Sequence, residues 1–154
     1  MMASAGGLQA ADDSSPSPQP ASTRSYLAFD FGTRRVGIAS GNDLLGTATP
    51  LRTLDVEGDA RFAAIGALIH EWRPDALVVG IPFHPDGAAH DNTRRAERFA
   101  RQLGGRFGLS VERVDERYST VEVQARQRAA PAKRFDVDAA SAALILEQFL
   151  GASR

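Results

Sequence analysis

The chain has 154 residues, 43% of them hydrophobic and 24% charged, the composition of one globular domain with a sizeable core and some chain to spare. It contains no cysteine, which excludes a disulfide framework and a thiolate zinc site, and no apolar run approaches the roughly 18 residues that a membrane span needs. Net charge is −1, and the body is neutral once Asp12, Asp13 and Arg24 are set aside, which argues against broad coating of nucleic acid but leaves room for a local basic surface.

Residues 1–24 hold Pro16, Pro18 and Pro20, several Ser and Ala, and no aromatic residue, so they are expected to be a disordered tail before a domain at 25–151. They lack the basic start and apolar centre of a signal peptide. Tyr26–Phe31 reads as a buried strand with Asp30 at its end; Gly32 and Thr33 turn the chain and Val36–Ser40 is a second strand. Gly41-Asn42-Asp43 is turn chemistry, and Leu45–Thr49 is expected as a third strand, giving an antiparallel meander. In a helix over Asp59–Trp72, Phe62, Ile65, Leu68, Ile69 and Trp72 recur at helical spacing and Pro74 follows the end. Ala76–Ile81 is a continuous apolar run, as a central strand covered on both faces requires.

Pro82–His90 reads as a loop, and Asp91–Phe107 as a helix with Ala96, Phe99, Ala100, Leu103 and Phe107 inward and Arg94, Arg98 and Arg101 on another face, with Arg95 nearby. A strand over Leu109–Val114, a helical stretch near Thr120–Arg128 and a last helix over Asp136–Leu150, with Val137, Ala140, Leu144 and Phe149 inward, complete the chain. The order βββαβαβαα predicts an α/β fold whose mixed sheet has antiparallel hairpins on one side and right-handed βαβ crossovers on the other.

A carboxylate at a strand end admits two chemistries. Asp30 can hold a divalent cation for phosphodiester chemistry, or the DFGT turn can cradle a nucleotide phosphate with backbone N–H groups. Further acids stand at element boundaries: Asp115 and Glu116 after the last strand, Asp136 and Asp138 at the start of the final helix. Ligands of layered α/β folds gather at strand carboxyl ends, so these acids can meet there. Carboxylates in contact repel unless a cation neutralises them, and a pair of Mg²⁺ ions about 3.5–4 Å apart activates water and stabilises a leaving oxygen without any His or Cys nucleophile. Each acid also has a plain structural use: Asp30 as a turn former, Asp115 or Glu116 in ion pairs with Arg113 or Arg117, Asp136 as a helix N-cap, Asp138 against the helix dipole.

The motifs FDFGTRRVGIA (29–39), EWRPDALVVGIPFHPDG (71–87), VDERYSTVEV (114–123) and VDAASAALILEQFL (137–150) together resemble the YqgF-type nucleases of bacteria, known as pre-16S rRNA nucleases or Holliday junction resolvase-like proteins. The resemblance covers Tyr26–Leu150. It implies an RNase H-like fold with a five-stranded mixed sheet and helices on both faces, phosphodiester hydrolysis dependent on Mg²⁺ or Mn²⁺, a cytoplasmic location, and a role in maturing the 5′ end of the small-subunit rRNA precursor. By motif, Asp30, Glu116 and Asp138 take the metal-binding and catalytic positions, with Asp115 as the second candidate for the place of Glu116. One departure is visible, His84-Pro85-Asp86-Gly87 where the family commonly has Asn-x-Asp-Gly.

Arg34, Arg35 and Arg117 sit beside the acids, where they suit contact with phosphates or simply balance the acid charge. Arg94, Arg98 and Arg101 suit either a secondary phosphate track or a solvated face. The expected partner is nucleic acid, precursor rRNA before branched DNA, with a ribosomal particle as a further one and no membrane. Two other classes compete. A nucleotide-binding protein of the actin and sugar-kinase type shares the first loop but needs a second lobe that about 130 residues cannot supply. A non-catalytic RNA-binding module would leave the clustered acids unused.

Overall fold

The computed structural model describes residues 23–116 and 134–152. Within them lie β1 (Ser25–Phe31), β2 (Val36–Asn42), β3 (Ala48–Leu54), α1 (Gly58–Trp72), β4 (Ala76–Ile81), α2 (Asp91–Phe107), β5 (Ser110–Asp115) and α3 (Arg134–Ala152). The expected tail up to 22, the helix near Thr120–Arg128 and Arg117 fall outside the described residues.

The strands form one sheet in the order β3-β2-β1-β4-β5. β1 pairs antiparallel with β2 and parallel with β4; β2–β3 is antiparallel and β4–β5 parallel. This is the mixed α/β sheet read from the element order, with hairpins on one side and crossovers on the other. The strand period of two splits β1 between two cores. Leu27 and Phe29 pack with Ile65 and Leu68 of α1 and Phe99 and Leu103 of α2. Tyr26 and Ala28 pack with Ile145, Leu146 and Leu150 of α3. β4, buried along its whole length, serves both faces.

Two elements differ from expectation. The third strand is Ala48–Leu54 rather than Leu45–Thr49. Leu44 and Leu45 are 69% and 66% exposed in the preceding turn, where the Leu45 N–H donates to Asn42 Oδ1 and Gly46 takes a left-handed φ of 72°. The turn chemistry outweighs the apolar pair, and Pro50 is tolerated because β3 is an edge strand. In α3 the buried face is Ala139, Ala142, Ala143, Leu144, Ile145, Leu146 and Leu150, while Val137, Ala140 and Phe149 are only partly covered. An alanine-rich helix carries too little contrast to fix its phase. It is the alanines that let α3 lie close on β2, where Ala39, Ala142 and Ala143 form a small core of their own.

Helix ends follow local rules. α2 begins at His90, whose ring Nδ1 accepts from the Asn92 N–H at 3.1 Å while its backbone N–H donates to Thr93 Oγ1 at 3.0 Å, a reciprocal cap. It ends at Gly108 with a left-handed φ of 67°.

Candidate active site

Asp30 is the sixth residue of β1 and shares the α3 face with Tyr26 and Ala28. In the sheet it is flanked by glycine on both sides: Gly37 is its register partner on β2 and Gly80 on β4. A Cβ on Gly37 would stand 1.9 Å from the Asp138 carbonyl oxygen. A Cβ on Gly80 would stand 2.4 Å from Ile145 Cδ1 and 3.0 Å from Glu116 Oε2. The two missing side chains are therefore the space in which α3 and the Glu116 carboxylate approach Asp30.

Glu116 follows β5 directly and is fixed by its N–H, which donates to the Ile81 carbonyl at 3.0 Å. Its Oε2 is buried. Register sets the two neighbouring acids on different faces. Val114 lies opposite Gly80 and packs in the α3 core, so Glu116, two residues on, continues that face. Asp115 lies opposite Ile81, whose side chain belongs to the α1/α2 core, and so starts from the other face. Asp115 still acts on the site through its charge, which raises the pKa of Glu116 after the larger effect of burial, while the hydrogen bond with Asp30 lowers it.

Asp138 stands in the early part of α3. Its Oδ2 accepts from Arg35 Nε at 2.9 Å, a part-buried ion pair across 103 residues of sequence. The Ser141 hydroxyl, one helical turn on, faces Asp30 and favours its charged form. The Asp30 carboxyl is pushed well above its ordinary value of 3.8, first by burial, then by the Glu116 charge and hydrogen bond and by the Asp138 charge, with the Ser141 hydroxyl opposing. Glu116 and Asp138 thus both act on Asp30 at a single rim of the sheet, and a carboxyl in contact with a carboxylate must keep a proton or gain a cation.

Among the described residues no three acid or His side chains close into a finished ligand shell. The donors fit a hard divalent cation in kind, being oxygen only, with Asp30 and Glu116 already in contact and Asp138 turned to Arg35. Asp136 lies within α3, and its side chain is outside the described residues.

Of the expected phosphate contacts, Arg35 is engaged by Asp138 and Arg34 is exposed. Both line a cleft of about 420 Å³ with Gly32, Thr33, Asp55 and Asp138. The loop carrying them is held from behind by Arg61, which is only 5% exposed and donates Nη2–H to the Thr33 carbonyl at 3.1 Å and Nε–H to the Val56 carbonyl at 2.9 Å. Sequence reasoning missed Arg61, Ser141 and the two glycines. The glycines were visible inside VGIA and VVGI, strand interiors where glycine often marks a close approach.

His84 is exposed in the 82–90 loop with its ring 4.6 Å from that of His90. Arg94 is bonded to Asp91, and the cations that share a pocket are Arg95 and Arg98 rather than the trio Arg94, Arg98 and Arg101.

A five-stranded mixed sheet between helices, delivering carboxylates from its central strand, from the exit of its last strand and from its final helix, defines the RNase H-like class. Residues 24–152 match the family described as "RuvX: Holliday junction resolvase". A Polaromonas sp. protein named "Putative pre-16S rRNA nuclease" is 61% identical over 130 residues, covering 84% of this chain and 90% of that one. A protein of the same name from Albidiferax ferrireducens is 55% identical over 142 residues, covering 90% and 87%. Among solved structures, Thermus thermophilus RuvC matches with a TM-score of 0.52 at 16% identity over 84% of this chain and 95% of that one, a likeness of fold alone. The chain belongs to the YqgF/RuvX family of pre-16S rRNA nucleases.

Proposed function

We propose that this protein is a metal-dependent endonuclease that hydrolyses phosphodiester bonds at the 5′ end of the 16S rRNA precursor. The observation that carries the reading is the meeting of Asp30, Glu116 and Asp138 on one face of the sheet, over two glycines that make room for them. Asp30 and Glu116, with Asp138, hold Mg²⁺ or Mn²⁺, as one or two ions. Such an ion, when bound, lowers the pKa of attacking water and neutralises charge on the phosphate.

The chain's own residues do the rest. Glu116, anchored through its backbone to β4, fixes one side of the site against a rigid strand, and Ser141 orients the Asp30 carboxyl. Arg35 holds Asp138 in register with the strand, and exposed Arg34 offers a guanidinium to a phosphate next to the one attacked. Asp30 must be ionised to hold a cation, so cation binding and cleavage should strengthen as pH rises above the ordinary carboxylate range.

The family's description favours a second substrate, a branched DNA junction. Purified protein with Mg²⁺ or Mn²⁺ and end-labelled precursor rRNA should yield a discrete 5′ product, with a four-way DNA junction cut far more slowly. Preferential cutting of the junction would move the assignment to DNA. Binding of precursor without any cleavage under all metals would leave an RNA-binding module instead. Among the described residues no helix is long and apolar enough to cross a membrane. The cytoplasm is the compartment in which this substrate would be met.

A further inference from the structure

On the sheet face opposite the acids, α1 and α2 enclose a second pocket of about 330 Å³ beside Phe31, the residue next to Asp30. Arg61, Phe62, Arg95, Arg98 and Gln102 line it, and no carboxylate does. Arg95, Arg98 and Gln102 follow at helical spacing on one face of α2. Four described arginines are ion-paired, Arg35 with Asp138, Arg94 with Asp91, Arg106 with Asp59 and Arg113 with Glu97, and of those that are not, only Arg61, Arg95 and Arg98 gather in one pocket. Among the described residues neither Arg61, Arg95 nor Arg98 has an ion pair. Arg95 contacts only the neutral Asn92 side chain, at 3.2 Å.

Arg61 is the most telling of the three. The residue is only 5% exposed, its guanidinium lies close to the Phe31 ring at 5.7 Å, and Nε and Nη2 are used on backbone carbonyls. Its Nη1 has no protein acceptor among the described residues and opens to the solvent of the pocket. The charge of Glu57 reaches it, but without an ion pair. Taking a guanidinium largely out of water, with no carboxylate in the pocket, is costly, and an anion in the pocket would offset that cost.

We propose that this pocket is a second phosphate site, which takes a backbone phosphate of the substrate strand outside the scissile bond. The proposal rests on the nuclease reading, because a strand lying at Asp30 passes the 32–35 loop and Phe31 to reach it. Arg61 ties the two places physically, since the same guanidinium holds the Thr33 carbonyl and lines the pocket. Two exposed guanidiniums and a buried one suit a phosphodiester, whose oxygens accept paired N–H donors.

The test is fluorescence-anisotropy binding of a labelled single-stranded 20-nucleotide RNA in EDTA, over 50–200 mM salt, to full-length protein made inactive by Asp30→Asn. Arg95→Ala/Arg98→Ala is compared in that background with Arg94→Ala/Arg101→Ala, which removes the same charge from the same helix outside the pocket. The pocket variant should bind at least tenfold more weakly, and its slope of log affinity against log salt should be shallower by about 1.4, as for two lost single-strand contacts. Equal loss in both variants, or no RNA binding by the parent, would overturn the proposal. Binding of inorganic phosphate to the pocket with unchanged RNA affinity would assign it to a free anion and overturn it as well. Cleavage by the wild type is scored separately: cleavage with equal variants sinks the pocket alone, and pocket-dependent binding without cleavage sinks the nuclease reading alone.

Discussion

The two faces of the sheet meet the same rim with opposite chemistry. On the α3 face, Asp30 sits between Gly37 and Gly80, and carboxylates crowd over the gap. On the α1/α2 face, the next residue, Phe31, packs against Phe99 with ring centroids 5.0 Å apart and borders a pocket of arginines. One step along β1 separates a surplus of negative charge from a surplus of positive charge. The difference teaches that the strand's period of two serves as a partition. Each surplus is costly by itself, and under the proposed function a divalent cation would relieve the acids and a phosphate of the strand the guanidiniums.

Glu116→Gln should break the acidic side most severely. It removes charge where the chain is anchored to β4, and cleavage of precursor rRNA should fall on the order of 10³-fold, the scale of losing a preorganised electrostatic group, with the far-UV spectrum unchanged. Asp115→Asn, starting from the other face, should cost less than about tenfold in the same assay. A reversal of that ranking would mean that the register of β5 misassigns the acid.

Gly37→Ala comes next and acts through the backbone. The new methyl group meets the Asp138 carbonyl, so α3 must lift from β2 at a cost of about 1–3 kcal/mol or more, read as a lower midpoint in urea. Gly80→Ala meets the end of a flexible Ile145 side chain and the Glu116 carboxylate, so it should spare stability more and activity less. If both variants lose only stability, the glycines serve packing and not the site.

A smaller effect runs in the opposite direction. The Asp30 carboxyl is raised in the folded protein, chiefly by burial, so the cation-free fold holds a proton that the unfolded chain releases. Stability is then fullest below the ordinary carboxylate pKa and declines as pH rises from about 4 through the folded value. Asp30→Asn escapes that decline and should melt roughly 2–6 °C higher than wild type at pH 7 in EDTA, the gap closing near pH 4. Calorimetry from pH 4 to 8 checks this, and a lower melting point for the variant at pH 7 would deny the acid cluster its cost.

Much of this was legible in advance, for physical reasons that can be named. The α2 helix was readable to its ends because its apolar stripe contrasts with five arginines and its last turn runs into Gly108. Asp30 was readable because a charge in an apolar strand has few purely structural uses. The choice between Asp115 and Glu116 was not readable, since side-chain direction after a strand depends on a register that only the β4 pairing sets. Nor was Arg61: its position in an apolar stripe is that of a core residue, and sequence gives an arginine there no reason to be buried. The Leu44-Leu45 pair misled in the other direction, because an apolar dipeptide next to Asn42 and Gly46 belongs to the turn.

The central claim is that Asp30, Glu116 and Asp138 act together as a cation site, and Mn²⁺ titration followed by electron paramagnetic resonance tests it most directly. Wild-type protein at pH 7.5 should bind Mn²⁺ saturably and cleave precursor rRNA in proportion to occupancy. Asp30→Asn and Glu116→Gln should each lose both. Mn²⁺ binding and cleavage at wild-type levels in either variant would contradict the account.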